Sequence, residues 1–527
     1  MPTISFARFP AFIAALTLLA SLAGCASVSV ADDPLKLPAG SNQSAVVVSI
    51  TANTGEIRGF SNMQVRLVPP PGSEGGIEKH YVLKRMAPGM ARDTSLFIGA
   101  LPPGQYEFAS LSDTATNKIL YLHGATGLLG AFPVETGKPA DLGRLIITPV
   151  NFKVVFGRSA RVTSNTALLE RFAPAHAPLF ARGASGWGRA RLPHDQVEEY
   201  ALQRPVGAEC ATELADGKVV AASRLGTVLQ RSKDGHWGAL RAPGIDSLLC
   251  VIPADLPDAE LLAVGEFGTL LRKPPGQDRL VPTATGDLPA GNLLRIAGNR
   301  KAGWHVAVQS GNDVGIFHTP DLASGKWTAR GSVDVGFDMW NGPNAFWMWG
   351  DAKGLGYSGS KGPIHRYEYA SGVWTQHDTP AKDRLTALSA DPAGTMGALT
   401  SPGGGFGGVF ASAWISNDAA RSWQPVELPF KVKISPVQRS YDGTMYVAGG
   451  VFGTAELQMS RDGGKTWALA SKYELGRQLL PLRSGELVDF NAAQYGIFSI
   501  EHSADGGKTW RIEYSNFDRK AYEASKK

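Results

Sequence analysis

The sequence is poor in charged residues and in cysteine. Charged residues make up only 19% of the 527 positions and apolar residues make up 43%, a balance that excludes a disordered chain and a coiled coil. Three cysteines are present and none forms a Cys-x-x-Cys pair, so the usual structural zinc site is excluded. By contrast, the chain contains 62 glycines and 12 tryptophans. This composition favours short strands that are joined by many turns.

The sequence also lacks the common motifs of enzymes, metal sites and nucleotide sites. It contains neither His-Glu-x-x-His nor Gly-x-Ser-x-Gly, and its ten histidines do not recur at ligand spacing. Gly-Gly-Lys-Thr occurs twice, at 463–466 and 506–509, but without the earlier glycine that a phosphate-binding loop requires. The net charge of +5 gives no argument for nucleic acid. We therefore expect no metal, no cofactor and no nucleic-acid partner.

The first 25 residues have the pattern of an export signal. Arg8 precedes an apolar run at 11–20, which is shorter than the roughly 20 residues that span a bilayer. The segment ends in Leu-Ala-Gly-Cys at 22–25, which resembles a bacterial lipobox. The resemblance implies that 1–24 is a signal peptide and that Cys25 carries acyl chains, such as palmitate, that hold the protein to a membrane. Since residue 26 is not Asp, we expect an outer-membrane lipoprotein of the cell envelope; the alternative is an ordinary secretory signal with a coincidental cysteine.

A small β domain is predicted after this signal. Residues 25–43 are polar and aperiodic, which is typical of a tether, and strand patterns begin at residue 44. Alternation at 63–68 and a turn at 101–104 predict a domain over 44–150. Its Leu-Pro-Pro-Gly-x-Tyr element resembles small β-sandwiches of the carboxypeptidase-regulatory or prealbumin-like kind, which implies a spacer or adhesion module. Residues 151–202, with two short helical patterns, are interpreted as a connector.

One turn motif recurs through the rest of the chain. Residues 460–467 and 503–510 read Ser-x-Asp-Gly-Gly-Lys-Thr-Trp, and 416–423 and 232–237 hold a degraded and a shortened copy. The repeat tryptophans stand at 237, 327, 374, 423, 467 and 510, with gaps of 90, 47, 49, 44 and 43, and 90 is two periods of 45. Periods of about 40 to 50 residues are typical of propeller blades of four strands. An all-β, seven-bladed β-propeller is therefore predicted over 203–515, followed by a tail at 516–527.

These motifs resemble the Asp-box (BNR) repeats of sialidases, sortilin-type receptors and photosystem II assembly factors. The Gly-x-x-Gly-Thr run before several copies is most similar to that of the assembly factors, which are seven-bladed propellers. The resemblance concerns the fold, because the boxes lie on the outer rim, and the photosystem role is not carried over. It implies structural roles in turns for a set of aspartates and tryptophans, namely Asp234, Asp418, Asp462, Trp467, Asp505 and Trp510.

Candidate functional residues are few. Cys210 and Cys250 stand 40 residues apart, close to one repeat, which predicts adjacent inner strands and either a disulfide or two buried free thiols. Trp347 and Trp349 alternate onto one face of a strand, where they either hold a sugar or peptide ligand or fill the space between blades. Further candidate ligand contacts are Arg224, Arg231 and Arg272. Phe406, which lies in a glycine-rich loop, is another candidate. Possible channel carboxylates are Glu266, Asp338 and Asp351.

These features predict a non-catalytic binding or assembly module that holds an envelope protein or a glycan on its propeller. The alternative is a glycoside hydrolase or sialidase-like enzyme, which requires two carboxylates roughly 5 to 10 Å apart. The sialidase family's Arg-Ile-Pro strand is missing, since residues 294–297 read Leu-Arg-Ile-Ala, and sialidases have six blades. A purely structural envelope protein is the third hypothesis. No catalytic residue is predicted.

Overall fold

The computed structural model contains two β domains, and helices are short and few in the part of the chain that it describes. It describes residues 26–55, 59–70, 72, 77–87, 92–113, 118–122, 129–151, 153–181, 184–187, 196–338, 342–391, 394–401, 411–451, 454–473, 477–492, 496–519 and 523. The predicted lipidation site Cys25, the loop residue Phe406 and the side chain of Asp338 lie outside the described residues.

The strands of the N-terminal domain belong to one mixed sheet. They are β1 (Ala26–Val30), β2 (Ser44–Ala52), β3 (Asn62–Leu67), β4 (Glu78–Met86), β5 (Thr94–Leu101), β6 (Gly104–Asp113), β7 (Lys118–Tyr121), β8 (Phe132–Val134), β9 (Ala140–Val150) and β10 (Lys153–Arg158). The main path is β10-β9-β2-β5-β4-β3-β6-β7, with β1 beside β4 and β8 beside β6. β2 runs parallel to β9 and antiparallel to β5.

Strand β4 joins the two halves of this sheet. One of its edges pairs with β3, while the other edge pairs first with β1 and then, from Lys84 onward, with β5. Because β4 changes partner along its length, a single sheet curls around the core in place of the two separate sheets of the predicted sandwich. The side chains that fill the curl come from both halves, as Val46, Val65, Phe97, Tyr106 and Phe132 show.

The predicted tether is wrong for the residues that directly follow position 25. β1 pairs in parallel with β4, Ala31 is buried in the core, and Asp32 forms a bridge with Ala100. Both faces of β1 are exposed, since Val28 and Val30 are open to solvent and so are Ser27 and Ser29, which alternate with them. A strand with no buried face carries no period-2 hydrophobic signal, and its sequence therefore resembles a linker.

Helices α1 (Thr166–Phe172), α2 (Ala177–Phe180) and α3 (Val197–Gln203) connect the domains. Helices α1 and α2 cover the outer face of β2, where Leu169 and Phe180 pack on Val47. All nine residues of β2 are consequently buried, as expected for a continuous apolar run with both faces covered. Helix α3 packs Leu202 against Ile146 of β9 and against residues of the propeller.

Seven four- or five-stranded sheets follow in the described residues and form the blades of a β-propeller. Blades 1 to 3 are β11 (Glu209–Glu213), β12 (Val219–Ser223), β13 (Thr227–Arg231), β14 (Trp237–Arg241); β15 (Leu248–Leu256), β16 (Ala259–Gly265), β17 (Leu270–Lys273), β18 (Val281–Pro282); β19 (Asn292–Asn299), β20 (Gly303–Ser310), β21 (Asp313–Thr319), β22 (Thr328–Asp334). A ribbon of β23 (Phe337–Asp338) and β24 (Gly342–Pro343) comes next.

Blades 4 to 7 complete the ring. They are β25 (Phe346–Gly350), β26 (Gly354–Gly359), β27 (Ile364–Glu368), β28 (Val373–His377); β29 (Arg384–Ala390), β30 (Met396–Ser401), β31 (Ser412–Ser416), β32 (Gln424–Val426); β33 (Val432–Lys433), β34 (Gln438–Arg439), β35 (Met445–Val451), β36 (Thr454–Ser460), β37 (Ala468–Tyr473); β38 (Arg477–Pro481), β39 (Leu487–Ala492), β40 (Phe498–Ser503), β41 (Arg511–Ser515). The predicted all-β, seven-bladed propeller is thus confirmed.

The ring closes through side chains. Each blade is built from consecutive strands, so blades 7 and 1 share no strand. Glu513 of β41 accepts hydrogen bonds from Nε and Nη2 of Arg231 at 2.7 and 2.8 Å and from Nε1 of Trp237 at 3.2 Å. Beneath this pair, Leu229 packs in one apolar cluster with Val488 and other residues of blade 7. The contact between the first and last blades therefore depends on a buried ion pair and its apolar support.

Candidate functional site

A cavity of about 700 Å³ lies on the propeller axis. Its walls are formed mainly by the first strands of the blades and by the ends of those strands, from β11 in blade 1 to β38 in blade 7, with further residues from β30, β31 and β35. Each of these strands pairs with one neighbour in its sheet, so its second edge faces the axis. Charged side chains of the described residues line the cavity from six of the seven blades, and they are Glu213, Arg295, Asp351, Asp391, Arg439 and Arg483.

The carboxylate of Asp351 is neutralised within its own blade. Its two oxygens lie 2.6 and 2.8 Å from Nη1 and Nη2 of Arg366, and both side chains are almost fully buried. Burial and the nearby charge of Asp351 raise the pKa of the Tyr369 hydroxyl, which also lines the cavity. Asp351 is therefore part of a structural ion pair with little access to a substrate.

Arg295 has a different environment from the other arginines. Its Nη1 donates to the backbone carbonyls of Leu249 and Leu294 at 2.9 and 2.8 Å. Burial lowers the pKa of this guanidinium. The positive charge of Arg92 in the N-terminal domain also lowers the pKa, whereas the negative charge of Glu209 raises it. Among the described residues, no carboxylate lies within ion-pair distance of Arg295. No role was predicted for Arg295, since an arginine in an apolar strand carries no local signal that it lacks a charged partner.

One end of the cavity is lined by residues from the turns that follow the first strands. The backbone N–H of Arg483 donates to Oε2 of Glu213 at 2.8 Å, and its guanidinium donates to the carbonyl of Leu214 and lies over the ring of Tyr441. Arg439 donates to Asn417 at 3.3 Å. This end presents partly exposed arginines and a tyrosine that is 46% exposed.

The tryptophans of β25 lie mainly in the packing between blades. Trp347 and Trp349 contact a cluster of blades 4 and 5 that includes Ile364 and Leu385. A side chain at Gly356 would approach the Trp349 ring to 2.3 Å, so the glycine provides room for that ring. Trp349 also lines the axial cavity, but its ring is held by these contacts. Of the two roles predicted for the pair, the structure favours packing between blades.

The predicted arginine contacts serve the architecture. Arg224 is buried between the domains, where it lies 3.1 Å from Asp93 and donates to the carbonyl of Val206. Arg231 belongs to the ring closure described above. Arg272 pairs with Asp258 on the partly exposed surface of blade 2. These contacts occupy the three guanidinium groups away from the cavity.

The candidate carboxylate Glu266 also lies between the domains and away from the cavity. Its Oε1 accepts from the backbone N–H groups of Asp93 and Thr94, each at 2.9 Å, and its Oε2 accepts from the Thr94 hydroxyl and from Ser247. Burial and the charge of Asp93 raise the pKa of Glu266 to about 7. Together with the ion pair of Arg144 and Asp246, this carboxylate holds the N-terminal domain against blade 2.

The two cysteines after position 25 are joined. Cys210 on β11 and Cys250 on β15 form a disulfide, and their Cα atoms are 4.8 Å apart. As the repeat spacing predicted, the residues lie on the first strands of adjacent blades. Both line the axial cavity, so the bond fixes two blades where they meet the axis.

The recurrent Ser-x-Asp turns are built by their own side chains. In blade 6, Oδ2 of Asp462 accepts from the Thr466 hydroxyl at 2.6 Å, and Oδ1 accepts from the backbone N–H of Thr466 at 2.9 Å. Asp505 makes the same contacts with Thr509 in blade 7. These hydrogen bonds hold the pKa values of both carboxyls well below the usual range.

The other members of the motif support the same turns. Nε1 of Trp467 donates to the carbonyl of Glu427 in blade 5, and that of Trp510 donates to Ser471 in blade 6, so each tryptophan reaches the preceding blade. Asp418 accepts from Ser422, and Asp234 accepts from the Ser232 hydroxyl. None of the four aspartates is part of the axial cavity lining.

The described ranges contain neither a metal-binding cluster nor a helix that could span a membrane. No group of three or more His, Cys, Asp or Glu side chains is arranged to hold a metal ion there. The helices of the described chain are all too short or too polar to cross a membrane.

Among known proteins, similarity to this chain is found only in solved structures. No protein-family model and no curated protein matches the chain. One similar structure is YCF48 bound to D1 peptide, which is 15% identical with a TM-score of 0.36 over 58% of this chain and 86% of that chain. Another is YCF48 from Cyanidioschyzon merolae, which is 17% identical with a TM-score of 0.38 over 55% of this chain and 92% of that chain. Because both TM-scores lie below 0.5, these likenesses carry no weight for the function of this seven-bladed propeller protein.

Proposed function

We propose that this protein is a non-catalytic binding module of the bacterial cell envelope, with a partner protein held in the axial cavity of its propeller. The observation that carries the proposal is the cavity itself, of about 700 Å³, into which the open edges of the first strands face. An extended peptide finds backbone donors and acceptors on such edges. The volume is within the usual range of ligand pockets, roughly 300 to 1,000 Å³.

A binding role accounts for the carboxylates better than catalysis does. A glycosidase needs one carboxyl group that protonates the leaving group and a second that acts as base or nucleophile. Asp351 is paired with Arg366, and Glu266 is enclosed between the domains. A protein ligand is favoured over a glycan because the tryptophan rings of β25 are half-buried against the packing between blades 4 and 5, which limits the ring surface left for stacking on a sugar.

Cross-linking in native cells, followed by mass spectrometry of what co-purifies, tests the cavity. Ala390 is exposed and lines the cavity, so Ala390→Trp obstructs it, while Ala329→Trp adds the same ring on the outermost strand of blade 3. We expect one abundant envelope protein to be cross-linked in the wild type and in Ala329→Trp, and lost in Ala390→Trp. If both variants capture the same amount of the envelope protein, the partner is not held in the cavity.

We further propose that Cys25 is lipidated and that the lipid holds the protein to the outer membrane. The support is the Leu-Ala-Gly-Cys sequence at 22–25 with the signal pattern before it. Metabolic labelling with an alkynyl palmitate is expected to mark the wild type and a Cys210→Ser control but not Cys25→Ser, which should move to the soluble fraction. A wild-type protein without label would refute the anchor and leave the binding role to be judged by cross-linking.

A further inference from the structure

Arg295 presents unused hydrogen-bond donors to the axial cavity. The guanidinium lines the cavity, and only Nη1 is engaged, by the carbonyls of Leu249 and Leu294. Nε and Nη2 have no hydrogen-bond partner among the described residues, and neither atom is fully buried. These two groups are therefore open to the cavity. Together they form one edge of a planar guanidinium, which is the edge that binds a carboxylate with two parallel hydrogen bonds.

No carboxylate of the described residues forms an ion pair with Arg295, and the charge of Glu209 acts on the guanidinium only from beyond ion-pair distance. Of the cavity carboxylates, Asp351 is paired with Arg366, Glu213 accepts from the backbone N–H of Arg483, and Asp391 accepts from the backbone N–H of Thr395. Arg92 of the N-terminal domain adds positive charge near Arg295. An enclosed charge without a counter-ion is unfavourable, and a bound anion relieves that cost. The site is thus complementary to a negatively charged ligand.

We propose that Arg295 binds the carboxylate of a glutamate or aspartate side chain in an extended segment of a partner protein. This inference rests on the proposed binding function and names the chemistry that the cavity selects. The segment enters from the end where Arg439 and Arg483 lie, so the acidic chain first meets positive charge. Its backbone pairs with the edge of an inner strand, and its carboxylate reaches Arg295.

Peptide is favoured over acidic oligosaccharide by the aromatic residues of the cavity. A uronic acid offers the same carboxylate, but sugar rings are usually bound against a free aromatic face. The ring of Trp349 is half-buried between blades, and the guanidinium of Arg483 lies over one face of the Tyr441 ring at 5.5 Å from its centroid. Strand edges, in contrast, are abundant around the axis.

The test uses purified full-length protein and two libraries of N-acetylated, C-amidated hexapeptides, with either Glu or Gln at the third position and the other positions randomised. Bound peptides are quantified by mass spectrometry. We expect the wild type to retain the Glu library at least about tenfold better than the Gln library, since hydrogen bonds to a charged group contribute 1.5 kcal/mol or more. Arg295→Gln should abolish this preference, and Arg295→Lys should keep part of it. Arg272→Gln, an arginine of blade 2 outside the cavity, is the matched control and should behave as wild type.

A stability measurement separates this role from a structural one. If Arg295 is an enclosed, unbalanced charge, Arg295→Met should be at least as stable to urea as the wild type, and only the wild type should be stabilised by the Glu library. A marked loss of stability in Arg295→Met, or an unchanged Glu preference in Arg295→Gln, would overturn the inference. Binding of trigalacturonate but not of peptides would also overturn it.

The two proposals fail in different ways. If the cellular cross-link is lost in Ala390→Trp but kept in Arg295→Gln, the cavity binds a partner and the role of Arg295 is wrong. If both variants keep the cross-link, the cavity function itself is wrong and the peptide preference has no cellular counterpart. Loss of the cross-link in both variants supports both proposals.

Discussion

Replacing Glu513 by alanine removes the carboxylate that joins the last blade of the propeller to the first. The side chains of Glu513 and Arg231 are 2% and 6% exposed, and two hydrogen bonds of 2.7 and 2.8 Å connect them. Loss of one partner leaves a buried, unbalanced guanidinium, which costs about 3–5 kcal/mol. We expect a loss of this size in the free energy of unfolding, because no shared strand seals the ring.

Urea unfolding of the full chain measures the loss, and hydrogen exchange should show that blades 1 and 7 open first. Arg511 provides a matched control, since it contacts the same carboxylate at 3.0 Å but is 70% exposed. Arg511→Ala should cost no more than about 1 kcal/mol. The double variant Arg231→Met/Glu513→Leu should recover most of the stability, because an apolar pair replaces the ion pair. A loss below 1 kcal/mol for Glu513→Ala, or equal losses for Glu513→Ala and Arg511→Ala, would refute the reasoning.

The same pair predicts a response to acid. Burial alone would raise the pKa of Glu513, but the hydrogen bonds and charge of Arg231 hold it below the ordinary value of 4.5. A lowered pKa in the folded state contributes stability above pH 4.5, and this contribution is lost as the pH falls through the folded pKa. The stabilities of the wild type and Glu513→Ala should therefore converge on acidification.

Three further predictions concern other parts of the fold. Asp462→Ala removes the acceptor of the Thr466 hydrogen bonds and should lower the melting temperature, whereas Asp462→Asn should lower it less. Cys210→Ser should destabilise the protein to urea by about 4 kcal/mol under oxidising conditions and have no effect under reducing conditions, since the disulfide closes a loop with a sequence separation of 40. Glu266 has a pKa raised from 4.5 to about 7, so wild-type stability should fall as the pH rises through this window, and Glu266→Gln should flatten that fall in thermal melts taken at several pH values.

The propeller was predictable because its signal is local. A Ser-x-Asp-Gly turn forms its hydrogen bonds within five residues, as Asp462 does with Thr466, so the motif that builds the turn is also visible in the sequence. The tryptophan after each turn gives the period of the blades. The disulfide could be proposed for the same reason, since one repeat separates Cys210 from Cys250 and brings them to adjacent inner strands.

The roles of the arginines could not be predicted in this way. Arg231 finds Glu513 at a separation of 282 positions, and Arg224 meets Asp93 in the other domain. Arg295 differs from the other arginines because no carboxylate of the described residues pairs with it, and this absence depends only on which residues surround it in the fold. β1 was missed because it has no buried face and hence no hydrophobic period.

By itself, the sequence determined the β class, the repeat of the blades and the residues of their turns, because these depend on contacts between near neighbours in the chain. Only the tertiary structure decided which charges are paired, which aromatic rings are packed and which guanidinium faces the axis. Such contacts join residues from different blades and from both domains, and the distance between two side chains in space does not follow from their separation in sequence.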